Sequence, residues 1–571
     1  MKAIKTVRLM FTVYISVVSL ISANAQPPAL PICSDQGNWS TQRFLSGADT
    51  VKITTPLLLT DGRVMVQYRG GLSTGHPWQD WYALTPGAKG CYSLNAADCG
   101  GASLVATWSE LASLTTVTCP PVPAYGPIAF ASAVLPNGNV IVEGGEDNLA
   151  VASRVESDCG AYYNAVANTW TYVAPPTGWT NIGDAPATVL ADGTFMLGNA
   201  CGNLSGVGQT ALFDVATLGW NTMAQPPQWT AEASFTLLPD NSVVFVSTCW
   251  PGQPVGNTCS TLTSSLNSEA YNPTTGTWGS LGNTTARLYS YDSTGTVGRN
   301  RCFAGQPYFG EQGPAALMPN GTYFATGGHN VAANAVLTSV YDTNTKKWVS
   351  SPNLPTVTIG TSTYSLSAAD QGAVVLTDGN VLFSTLTGGI QNEDASGTVY
   401  YLEWNGNSYC QLNNLPVGIP LQSEMLTLPT GQIFITDVSW LQDDDYFIYT
   451  PGGTTYPGIA PTLASLSATT LVIGSTYTAT GTQFNGATQS SFFGDDFQNY
   501  TNYPLIRITN NTTGDVFYAK TQNPSTMGVA TGNLPTTTSF TVPSDATVGD
   551  STIVVVANGI PSNSLKVTLE K

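Results

Sequence analysis

Six carboxylates and one imidazole stand at two set distances from a turn that the chain repeats seven times. The turns centre on Gly62, Gly138, Gly193, Asn241, Gly321, Gly379 and Gly431. Asp184, Glu232, Glu311, Asp370 and Glu424 lie within a residue or two of the ninth position before a turn, and Glu146 and His329 lie at the eighth after one. If each turn joins two strands of a hairpin, both offsets fall at the same far end of the hairpin. Carboxylates gathered there could hold a hard cation such as calcium through oxygen ligands, or hydrogen-bond the hydroxyls of a sugar. Solvated side chains where hairpins meet water are the competing reading, and His329 by itself reads as a loop residue.

The elements that would position these groups are legible from the repeats, which are sought before other patterns. "LPNGNVIVEGG" (135–145), "LADGTFMLGN" (190–199), "MPNGTYFATGG" (318–328) and "LTDGNVLFST" (376–385) each place an Asp/Asn-Gly type turn before a short apolar run. Such turns supply residues tolerant of positive φ. A second element follows several of them, an aromatic, a turn and then Trp: "YNAVANTW" (163–170), "FDVATLGW" (213–220), "YNPTTGTW" (271–278) and "YDTNTKKW" (341–348). Each unit therefore reads as two hairpins, a four-stranded antiparallel sheet whose Trp packs against a neighbour. Sheets of this kind bury both faces when arranged radially.

These units resemble kelch repeats, and seven of them resemble the propeller of the galactose oxidase and glyoxal oxidase superfamily. The fold class this implies is all-β: a seven-bladed kelch-type β-propeller over residues 26–455, followed by an immunoglobulin-like β-sandwich over 456–571. The runs "STYTATGTQF", "PLIRITNN" and "STIVVVANG" support strands in that last part. "GNWS" (37–40) carries a Trp that the last repeat lacks, so the N-terminal segment is expected to supply the outer strand of the seventh blade.

The resemblance also implies a copper site built from two Tyr and two His, one Tyr cross-linked to Cys, and the sequence departs from it. Nine residues before the seven turns stand Ile53, Ala129, Asp184, Glu232, Gln312, Asp370 and Gln422, none of them Tyr or His. The superfamily's C-terminal domain delivers a further His along the propeller axis, yet no His occurs from 455 to 571. Copper asks for several nitrogen ligands, so copper is disfavoured. No cofactor is expected other than calcium at the acidic rim.

Lys2, Lys5 and Arg8 precede a 14-residue apolar run and then Ala23-Asn24-Ala25, the layout of a signal peptide (1–25) cleaved after Ala25. The run is short of the roughly 20 residues a membrane span needs, so no transmembrane segment is expected after cleavage and the protein is expected to be secreted, periplasmic or at the cell surface. Cleavage removes three basic residues and no acidic one, leaving a net charge of −21. A surface of that sign repels polyanions, which excludes nucleic acid as a partner. Charged residues make up only 9 %, while 57 Gly and 36 Pro favour turns and strands over helices.

Ten cysteines in an exported chain suggest disulfides. Two long intervals between turns, 76 and 80 residues, hold two cysteine clusters, so loop-clipping pairs Cys91–Cys99 and Cys249–Cys259 are expected, with a Cys201–Cys249 bridge between blades as the alternative. "LQDDDYF" (441–447) and "FFGDDFQN" (492–499) lack the regular spacing of an EF-hand. The expected function is non-catalytic recognition or adhesion toward a glycan or an extracellular protein. A carbohydrate-active enzyme resembling a sugar mutarotase, with Asp184, Glu232 or Asp370 as acid or base, and a structural envelope component are the alternatives.

Overall fold

The computed structural model describes residues 30–44, 52–70, 78–120, 124–149, 157–200, 208–228, 230, 233–246, 266–288, 312–328, 338–387, 397–437, 445–493 and 497–571. These residues form an all-β protein with a β-propeller arrangement. Sheet I comprises Ile53–Leu58, Val64–Tyr68, Asp80–Thr85 and Thr107–Glu110. Sheet II comprises Ala131–Val134, Val140–Glu143, Gly160–Asn164 and Thr169–Val173, and sheet III runs from Ala187–Val189 to Gly219–Thr222. Sheet IV runs from Thr236–Leu237 to Thr277–Asn283, and sheet V from Gln312–Leu317 to Lys347–Ser350.

Sheet VI has seven strands. Ala373–Val375, Val381–Thr387, Val399–Trp404 and Tyr409–Leu412 repeat the four-strand order, extended by the hairpin Thr356–Ile359/Ser362–Ser367 and by Ser491–Phe492. Sheet VII is four-stranded and takes its outer strand from the other end of the chain. Asn38–Arg43 pairs antiparallel with Asp445–Thr450, outside Ile433–Asp437 and Ser423–Thr427. The expected ring closure by the N-terminal segment is therefore observed.

The first two strands of most sheets read as unbroken apolar or neutral runs because both of their faces are covered. Val140–Glu143 and Val243–Val246 are buried at every position. First strands touch one another in order, I against II, II against III, IV against V, V against VI, VI against VII and VII against I. The recurrent Trp packs between sheets and also reaches back to the preceding one. Trp170 Nε1 donates to Ala112 O (2.8 Å), Trp220 Nε1 to Ala174 O (2.8 Å), Trp278 Nε1 to Ala224 O (3.0 Å) and Trp348 Nε1 to Ser268 Oγ (2.8 Å). Each indole thus buries a large apolar area while its one polar atom is satisfied.

Residues from about 462 onward form a curled nine-stranded sheet around Leu463, Phe484, Ile506, Phe540, Ile553 and Val555. This sheet sits on the turn end of the propeller. Asn523 N donates to Pro136 O (2.7 Å), Met527 N to Ala191 O (2.8 Å) and Tyr456 N to Thr377 O (2.8 Å), while Gly559 meets Gly431. The repeated turns are therefore a docking surface, and a Cβ at Gly62 would collide with the Tyr518 ring. The chain linking two strands of this sheet, around residues 485–493 and 497–503, reaches the innermost strands of the propeller. Gln489 accepts from Leu237 N and donates to Thr188, Tyr500 Oη donates to Phe235 O (2.6 Å), Thr427 and Ser490 share a hydroxyl bond, and Gln498 accepts from Ser132 N.

Three disulfides are present among the described residues: Cys33–Cys410, Cys91–Cys99 and Cys119–Cys159. The expected Cys91–Cys99 pair is one of them. Cys201, Cys249, Cys259 and Cys302 lie outside the described residues, as do Asp443 and Asp444 of "LQDDDYF".

Candidate functional site

With the turn end covered, the opposite end of the propeller is the face left to the strand starts and strand exits that the sequence singled out. Of the seven groups expected there, Glu232, Glu311 and His329 lie outside the described residues. Asp184 is half-buried just ahead of the first strand of sheet III. Asp370 is half-buried with φ of 52°, and its N–H donates to Gln312 O of the adjacent sheet (3.2 Å). Aspartate tolerates this left-handed conformation better than most residues. Glu146 is half-buried, and its N–H donates to Ala129 O (2.9 Å) beside the short pairing of Ile128 with Asp147.

Glu424 is placed differently from a solvated rim. It is 1 % exposed and lies in the seam between sheets VII and I. Its Oε2 accepts from Thr54 Oγ1 (3.0 Å), Thr55 N (2.5 Å) and Thr436 Oγ1 (2.9 Å), so one oxygen gathers donors from both sheets. Its Oε1 meets no hydrogen-bond partner among the described residues. Desolvation pushes the carboxyl up to about 7, against the opposing pull of those donors and of the Arg69 charge. Such a group is neutral in mild acid and ionised in mild base, the condition for moving a proton near neutrality.

The seam holds further charged groups that the offset rule did not select. Arg69 is buried and stacks on Trp78, with its guanidinium carbon 4.5 Å from the ring centroid. Trp78 has φ of 63° and Thr55 φ of 50°, a conformation that costs a bulky or branched residue free energy and recurs at functional sites. Lys52 Nζ lies 3.7 Å from Asp437 Oδ2. Gln67 Nε2 donates to Trp78 O (2.9 Å) and to Pro127 O (2.8 Å), in the short strand Pro127–Ile128 ahead of sheet II, fixing the chain beneath the indole.

A sequence signal for this layer exists. The fifth residue after each turn position is Gln67, Glu143, Gly198, Val246, Thr326, Ser384 or Thr436. Ser384 bonds across to the next sheet through Ser423 Oγ (2.8 Å), Gln67 reaches Pro127 O ahead of sheet II, and Thr436 donates to Glu424 of its own sheet. Glu143 occupies the same register and departs from it. It has no exposed surface, and among the described residues neither of its oxygens has a hydrogen-bond partner. Its carboxyl fills the space over Gly160 that a larger side chain would take. Burial holds its pKa well above the usual carboxylate range, so it keeps its proton to higher pH than an exposed carboxylate.

The described residues do not gather the expected acids into a cation site. The two groupings of potential ligand atoms among them are Cys33, Glu403 and Cys410, and Cys119, Asp158 and Cys159, and both contain disulfide sulfurs. Copper does not fit the described positions either. Ile53, Ala129, Asp184, Gln312, Asp370 and Gln422 offer no imidazole or phenol, and the axial segment presents Gln489, Ser491, Gln498 and Asn499 with the phenol of Tyr500, whose hydroxyl is taken by Ala187 O and Phe235 O.

No protein-family model matches the chain, and no curated protein matches it. Among solved structures it is similar to a fungal alcohol oxidase described as having catalytic diversity among the AA5 family, in complex with copper. The alignment covers 94 % of this chain and 100 % of that one, at 13 % identity and a TM-score of 0.46. The all-β propeller is established by this chain's own strand pairing; the alignment adds nothing about activity.

Proposed function

We propose that the chain is an exported seven-bladed kelch-type propeller (26–455) with a C-terminal immunoglobulin-like domain (456–571) that recognises a glycan or an extracellular protein at its open face. In this reading the four-strand core of sheet VI is the sixth blade, sheet VII with its N-terminal strand is the seventh, and the nine-stranded sheet is the sandwich. Signal cleavage after Ala25 and three disulfides agree with an oxidising compartment. Among the described residues no helix is long and apolar enough to cross a membrane.

The observation that carries the recognition reading is the seam at sheets VII and I, where one oxygen of Glu424 has no hydrogen-bond partner among the described residues, beside the Arg69–Trp78 stack. A neutral carboxyl that can donate or accept suits an uncharged polyol hydroxyl better than a strong ion. Calcium at the acidic rim is retained as a proposal for the half-buried Asp184, Asp370 and Glu146. Copper-radical oxidation is disfavoured by the residue types above.

The same carboxyl favours a second reading. With its pKa pushed up to about 7, Glu424 has the value expected of a general acid or base, and a mutarotase-like activity would use it so. Equilibrium binding of a panel of neutral oligosaccharides, run beside polarimetry on freshly dissolved aldoses, separates the two. Recognition predicts binding without acceleration, weakened at least tenfold in Glu424→Gln. Mutarotation predicts turnover that the same variant reduces by orders of magnitude. Neither effect would remove both readings.

A further inference from the structure

The strand that closes the propeller ring is the most polar of its sheet. Asn38–Arg43 reads NWSTQR, and only Gln42 in it is buried. Its one apolar anchor is Trp39, which packs on Tyr449 (4.6 Å between centroids) and edge-on to Tyr401 (5.6 Å). Its ion pair, Arg43 with Asp445 at 3.4 Å, has an arginine side chain 69 % exposed, a pair of little energetic weight. The strand itself is held by six residues of sheet pairing and by Trp39, while Phe44 just past its end is buried against Tyr68, Tyr82 and Trp108 of sheet I and anchors that end.

Two covalent clips converge on this strand from opposite sides. Five residues upstream, Cys33 is bonded to Cys410 in the outer strand of sheet VI, a link spanning 377 residues. Cys33 N donates to Gln411 O (3.0 Å) and Gln411 N to Pro31 O (2.8 Å), which continues the clip as a short bridge. On the other side, the Cys91–Cys99 loop grips the strand itself. Gln42 Oε1 accepts from Leu94 N (2.7 Å) and Ser93 Oγ (3.1 Å), and Asn95 Nδ2 donates to Thr41 O (3.1 Å).

The exposures of the sulfurs differ in a way that matters. Cys119 and Cys159 are both 1 % exposed, so their bond is shielded by the core. Cys33 is buried, 6 % exposed, whereas its partner Cys410 is half-buried, as are Cys91 and Cys99, so the Cys33–Cys410 bond is approached from Cys410. We propose that ring closure is redox-latched, the Cys33–Cys410 bond holding residues 30–44 in place and its reduction freeing the closing strand and baring the Asp445–Thr450 edge. A dithiol reductant supplies the two electrons. Its thiolate attacks Cys410 Sγ and expels the Cys33 thiolate, and its second thiolate then displaces Cys410, leaving two protein thiols and one cyclic disulfide on the reductant. The freed edge keeps Tyr446, Phe447 and Tyr449 packed on their inner faces, so the rest of the ring stays folded.

Hydrogen exchange on the full mature protein tests this, before and after dithiol treatment and in a Cys33→Ala/Cys410→Ala variant that leaves Cys91–Cys99 intact. The expected result is exchange at least about tenfold faster for residues 38–43 and 445–450, with Val140–Glu143 and the nine-stranded sheet unchanged. Unchanged protection in both segments, with mass spectrometry reporting free thiols at Cys33 and Cys410, overturns the latch. Faster exchange across every sheet overturns it too, since the bond would then be a global staple.

Discussion

Replacing Glu143 with Gln keeps the shape of a buried side chain and removes its proton equilibrium. Glu143 is fully buried opposite Ala131 and Gly160, without a hydrogen-bond partner among the described residues, and desolvation alone raises its pKa. In the unfolded chain such a group titrates near about 4.3. Above that pH the folded state holds a proton that the unfolded state has lost, so stability falls as pH rises. The slope for one proton is at most about 1.4 kcal/mol per unit. Below about pH 4.3 the contribution is fully present; it is spent once the pH passes the folded value.

Gln has no such slope, but it adds an amide N–H without an acceptor, costing about 1–3 kcal/mol at every pH. The variant is therefore expected to be less stable than wild type near pH 4 by about that amount. As the pH rises from there the wild type loses stability through this group while the variant does not, so the gap narrows. Thermal unfolding of both proteins at matched ionic strength reads it out. Glu269, Glu403 and Glu424, each pushed up to about 7 by burial, bend both curves alike, so the difference isolates Glu143. A difference that stays constant from about pH 4 to about pH 7 would refute a protonated, dry Glu143.

Three other substitutions probe the layers around it. Glu424→Ala leaves Thr54, Thr55 N–H and Thr436 without their shared acceptor, and is expected to cost about 3 kcal/mol or more, read by thermal unfolding. Tyr500→Phe removes the hydroxyl that reaches both Ala187 O and Phe235 O at the axis; a loss of about 1–2 kcal/mol is expected, with faster amide exchange in residues 497–503. Trp170→Ala removes a 7 % exposed indole and its bond to Ala112 O, for which about 3–5 kcal/mol of destabilisation is expected. An effect under about 1 kcal/mol there would contradict the indole's role between sheets.

The repeats made the scaffold legible because a turn followed by an apolar run is a local signal, and because a spaced Trp marks the outer strand. Trp39 disclosed the closing strand for the same reason: the last repeat lacked its aromatic, and "GNWS" supplied one. The site was less legible. Counting residues to a strand end places Glu424 near the open face, but the two-residue alternation of a strand decides whether a side chain meets water or a seam, and Glu424 faces the seam. Reading the fifth position after each turn would have found Glu143, Thr436 and their neighbours. The axial segment was hidden because residues 485–503 are Asn-, Gln- and Gly-rich without periodicity; their hydrogen bonds answer to inner strands over a hundred positions away.

The most direct test of recognition at the open face is a hydrogen-exchange footprint of the mature protein with whichever neutral oligosaccharide of the panel it binds. The account predicts protection at Ser423–Thr427, Ile53–Leu58 and the segment following Trp78, with protection lost in Glu424→Gln. Protection confined to the nine-stranded sheet, or no protection with any member of the panel, would contradict it.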